Sequence, residues 1–141
     1  MCAQDSSAVA AARKVCSLGR ESVSLVSDAG ALFVRLVDVH GIDSKRLYWW
    51  ESLKKGGSLH YRDSGDGWRA QVSSLLTDMG DPVFLVVTDD EPPPWPVLRF
   101  ERGTEVVKLL GDMHFFEYFV FSQNCGKVFF DTHDNFLIWS P

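Results

Sequence analysis

The chain has 141 residues, of which 45% are hydrophobic, 13% aromatic and 23% charged, and carries a formal net charge of −5 at neutral pH. That length suits one domain whose folding buries about two-thirds of the unfolded chain's surface, and that composition excludes disorder over most of the length. The negative balance disfavours nonspecific affinity for nucleic acid or anionic membrane, and no apolar run approaches the ~18 residues that span a bilayer.

The opening Met1-Cys2-Ala3-Gln4-Asp5 lacks the basic and then apolar stretches of a secretory leader. Ser6 to Leu18 combines a serine cap signal, an alanine-rich body and Gly19 past its end, which predicts a helix. Cys2, Cys16 and Cys125 show no C-x-x-C or zinc-like pairing, so we expect reduced thiols in a cytoplasmic protein, without a cofactor. Ala31 to Val39, with Asp28 as cap and Gly41 as stop, favours helix, although its β-branched content keeps strand as an alternative.

Arg46-Leu47-Tyr48-Trp49-Trp50 reads as a strand or its end, and Gly56-Gly57 and Asp63 to Gly67 read as loops. Trp68 to Met79 predicts a helix capped by Asp66, with Val72, Leu75, Leu76 and Met79 on one face and Gly80 as stop. Pro82 to Thr88 is the clearest buried strand. Pro92-Pro93-Pro94 cannot supply ladder donors and marks a loop or polyproline II connection before a strand at Val97 to Phe100. Thr104 to Leu110 predicts a short helix closed by Gly111. Phe115 to Phe121, Lys127 to Thr132 and Phe136 to Trp139 then form a three-strand meander, turning around Ser122 to Gly126.

Half of the aromatic residues lie between Phe115 and Trp139, and both alternating faces of Phe115 to Phe121 are largely apolar. Such a strand is central and covered on both sides. The expected fold is therefore a single α+β domain over residues 1–141, an antiparallel sheet of about five to six strands with a C-terminal meander, packed against two to four helices.

A five-residue hairpin loop at Ser122 to Gly126 sets Phe121 opposite Lys127, Phe119 near Phe129, Glu117 near Asp131 and Phe115 near His133. Two carboxylates facing each other need a cation, a basic side chain or a raised pKa, so Glu117, Asp131 and His133 form one candidate acid/base or metal site, with His114 and Asp134 close in sequence. A register slipped by one residue, or a basic residue such as Arg35 or Arg99, removes that need. Cys125 with His133 downstream suggests a thiol nucleophile; an inert turn cysteine fits the pattern better. The phosphate-cradling, G-x-S-x-G and H-E-x-x-H patterns are absent from the sequence.

Charge is unevenly placed. Five acids and no Lys or Arg lie from Asp78 to Glu91, whereas Lys45 to Arg69 is basic and interleaved with Tyr48, Trp49, Trp50, Tyr61 and Trp68. The basic stretch resembles single-strand binders in composition, though a protein interface uses the same residue types.

Phe115-Phe116-Glu117-Tyr118-Phe119-Val120-Phe121-Ser122, followed by Lys127 to Ile138, resembles the C-terminal aromatic and histidine block of a family of small uncharacterised bacterial proteins. His133, Leu137 and Ile138 match that block, whereas Lys127, Phe130 and Asp134 depart from its Trp, Cys and second His. The general character, small, acidic and α+β, is similar to immunity proteins of bacterial polymorphic toxin and contact-dependent inhibition systems. That resemblance implies a noncatalytic domain that binds a cognate toxin, with Asp89, Asp90 and Glu91 facing a basic cleft and Trp95 as an anchor.

Overall fold

The computed structural model describes residues 23–27, 29–45, 48–54, 56–60, 67–88, 95–112, 117–132 and 136–141. The helix expected at Ser6 to Leu18, and the capping roles expected of Asp28 and Asp66, lie outside these residues.

Among the described residues the strands are β1 (Val23–Leu25), β2 (Gly57–His60), β3 (Val83–Val87), β4 (Val97–Phe100), β5 (Tyr118–Ser122), β6 (Val128–Asp131) and β7 (Phe136–Trp139). They form one seven-stranded sheet in the order β1-β4-β3-β5-β6-β7-β2, with every neighbouring pair antiparallel. The fold is α+β and β5-β6-β7 is a meander, as expected; the sheet exceeds the expected five to six strands because β1 and β2 add one strand at each edge.

Among the described residues three helices cover the sheet: α1 (Gly30–His40), α2 (Gly67–Met79) and α3 (Gly103–Asp112). In α1, Leu32, Phe33, Leu36 and Val37 recur at helical spacing and turn one face to the sheet, which overrides the strand tendency of the β-branched residues. The helix stops at Gly41, which adopts the left-handed φ of 62°, while the Ile42 N–H reaches the Val37 carbonyl at 3.1 Å. In α2, Val72 and Leu76 point into the core, and Gly80 (φ 75°) ends the helix. Asp81, two residues beyond α2, accepts a hydrogen bond from the Gly103 N–H at 2.7 Å and so satisfies a backbone donor at the start of α3.

Each sheet face has its own core. Val83, Leu85, Leu98, Phe100, Val120, Phe129 and Leu137 face α2 and α3, which contribute Val72, Leu76, Val106 and Leu109. Phe84, Val86, Val97, Phe119, Phe121, Val128, Phe130 and Ile138 face α1 and a 3-10 turn at Trp49–Ser52. All five side chains of β5 are buried, and its place in the middle of the sheet is where a two-sided apolar strand belongs.

Two expectations are corrected. Trp49 and Trp50 lie in the 3-10 turn rather than on a strand, which lets Trp49 enter the core while Trp50 stays half-buried. Gly56-Gly57 does not close a loop: Gly57 opens β2, paired with Trp139. A Cβ on Gly57 would sit 2.5 Å from Trp139 Cζ2, so only glycine lets the indole lie across the strand. Gly57→Val is expected to destabilise the protein by about 1–3 kcal/mol through overpacking, measured as a lower urea midpoint at unchanged slope.

Candidate functional site

The turn between β5 and β6 decides which acids meet. Ser122 closes it with two bonds, its N–H to the Lys127 carbonyl at 2.9 Å and its Oγ accepting the Lys127 N–H at 3.0 Å. Inside the turn the Cys125 N–H reaches the Ser122 carbonyl at 2.9 Å, the Gly126 N–H reaches Asn124 Oδ1 at 2.9 Å, and Cys125 takes a φ of 60°. Ser122 thus faces Lys127 across a four-residue connection, one residue shorter than expected. The pairs that follow are Phe121 with Val128, Phe119 with Phe130 and Tyr118 with Asp131.

This register corrects the expected opposition of Glu117 and Asp131. Asp131 alternates with Phe129 and lies on the α2/α3 face, whereas Glu117 alternates with Phe119 and Phe121 and lies on the α1 face. Both carboxylates are buried, but the sheet stands between them. His133, His114 and Asp134 lie outside the described residues. Among the described residues no group of three His, Cys, Asp or Glu side chains converges to hold a metal.

Glu117 lines a recess at the end of the sheet with Tyr48, Trp49, Trp50, Thr88 and Trp95. The Thr88 N–H donates to the Glu117 carbonyl at 3.0 Å, joining the end of β3 to the start of β5. Trp95 stands edge-on to Trp49 at 4.9 Å, to Phe119 at 5.8 Å and to Phe33 at 6.0 Å. With only 5% of its surface exposed, Trp95 is a ring of the core, which corrects its expected role as a surface anchor. The recess itself encloses about 10 Å3, room for no more than one water. Asp89, Asp90 and Glu91 lie outside the described residues, but Thr88 and Trp95, the nearest described residues on either side, both line this recess.

Cys125 is fully buried beneath α1, its Sγ 3.9 Å from the Leu32 carbonyl, and the His40 Nε2–H donates to its carbonyl oxygen at 2.8 Å. Burial pushes the thiol above its ordinary range and the Arg35 charge only partly opposes this, so the group stays a protonated apolar filler. The recess around Glu117 is not legible in the sequence, because Trp49 and Trp50 fall within the stretch that reads as a strand and only Trp95 stands just outside one.

Comparison with protein-family models, curated proteins and solved structures gave no match.

As pH rises past the ordinary thiol range, the unfolded chain ionises Cys125 before the folded chain does, so folding stability is lost there. Urea midpoints followed from neutral pH to about pH 10 are expected to fall less steeply in Cys125→Ala than in the parent protein.

Proposed function

We propose that this protein is a noncatalytic protein-binding domain of the immunity type, which neutralises a cognate bacterial toxin by direct contact. The observation that supports it most is the footing of the acidic run. Thr88 at the end of β3 and Trp95 before β4, the described residues that flank Asp89, Asp90 and Glu91 in the sequence, are both buried in the same sheet-end core. A local concentration of negative charge in the sequence suits fast, steered association with a basic cleft. The net charge of −5 favours the same partner chemistry.

The other reading, a hydrolase or metal enzyme built on Glu117, Asp131 and His133, needs its two carboxylates on one face. The register places them on opposite faces.

The test is capture of the partner by the tagged protein from lysate of its own source, followed by kinetics with the purified partner. Reversing Asp89, Asp90 and Glu91 to lysine is expected to slow association by about 10- to 100-fold at low salt while leaving thermal unfolding unchanged. An association rate insensitive to both the substitutions and salt would contradict the proposal.

A further inference from the structure

An indole carries one N–H donor and no acceptor, and a donor taken out of water is costly to leave unpaired. Trp49 is 5% exposed, and its Nε1 is buried with no hydrogen-bond partner among the described residues. The rings packed around it are Phe33, Trp95 and Phe119, with centroids at 5.8, 4.9 and 6.0 Å. They cover the indole but offer it no lone pair.

Acceptors stand across the recess that Trp49 shares with Thr88 and Glu117. Both of those residues are buried. The Thr88 Oγ1–H donates to the Glu117 carbonyl at 3.3 Å, which leaves the hydroxyl oxygen its lone pairs. A carboxylate has about four acceptor sites, so the Glu117 side chain can take a further donor whatever else it binds. Neither group bonds the indole directly.

The space between them, about 10 Å3, is the size of one water. The chemistry of the lining selects the same occupant. An anion is opposed by the Glu117 carboxylate and a metal ion by the indole N–H, whereas water accepts from one and donates to the other. Buried waters make about three hydrogen bonds, and one donor with two acceptors supplies that number.

We propose that this recess binds one structural water, which accepts the Trp49 Nε1–H and donates to Thr88 Oγ1 and the Glu117 carboxylate. The water ties the 3-10 turn to the end of β3 and the start of β5 with directional bonds that ring contacts do not provide. This site rests on the recess alone and is independent of the proposed toxin contact.

The test uses the full-length 15N-labelled protein. The Trp49 indole N–H, assigned by its loss in Trp49→Phe, is expected to show water cross-peaks of opposite sign in NOE and ROE spectra, the mark of a bound water rather than of proton exchange. Thr88→Ala removes a hydroxyl able to relay that signal and is expected to keep it, since the bonds to Trp49 and Glu117 remain. A crystal structure is expected to place one water about 2.9 Å from Trp49 Nε1. Absent cross-peaks, cross-peaks of equal sign, loss of the signal in Thr88→Ala, or a dry recess with the N–H aimed at the Trp95 ring would overturn the proposal.

Discussion

Every side chain of β5 is buried, and a strand in that position needs apolar cover on two sides. The cover comes from α2 and α3 on one face and from α1 with the 3-10 turn on the other. Antiparallel sheets commonly leave one face to solvent, so this arrangement demands two separate cores from one short chain. The aromatic residues make that affordable: Phe119, Phe121 and Phe130 serve one face, and Phe100 and Phe129 the other.

The hairpin that joins β5 to β6 carries most of the functional meaning. A shift of one residue in an antiparallel pair moves a whole strand's side chains to the other face. Ser122 bonding Lys127 twice sets the register that separates Glu117 from Asp131. The same closure places Cys125 in a left-handed conformation beneath α1, where its carbonyl receives His40. The turn therefore secures α1 to the sheet as well as aligning two strands.

Much of this was readable in the residues. Val83–Val87 and Phe136–Trp139 are short apolar runs bounded by turn residues, and α2 shows its buried face at clear helical spacing. The edges were not readable for physical reasons. β1 is three residues long, too short for any alternation to register, and β2 begins at a glycine whose role is to admit Trp139 rather than to turn the chain. Trp49 and Trp50 carry strand propensity that the core overrides, since a 3-10 turn buries one indole where a strand would send the pair to opposite faces. The candidate dyad failed on loop length alone, a property set by the hydroxyl of Ser122 and the amide of Asn124, which strand patterning does not encode.

The sheet ends differ in character. At one, Thr88, Trp95 and Glu117 close around a recess no larger than one water; at the other, Trp139 and Lys127 leave a cleft open. The separation of Glu117 from Asp131, which removes the enzymatic reading, depends on the β5–β6 alignment, so the most direct measurement is cross-strand backbone NOEs in the 15N-labelled protein. The account predicts contacts pairing Phe119 with Phe130 and Tyr118 with Asp131. Contacts pairing Phe119 with Phe129 and Glu117 with Asp131 would contradict it and return the two carboxylates to a shared face.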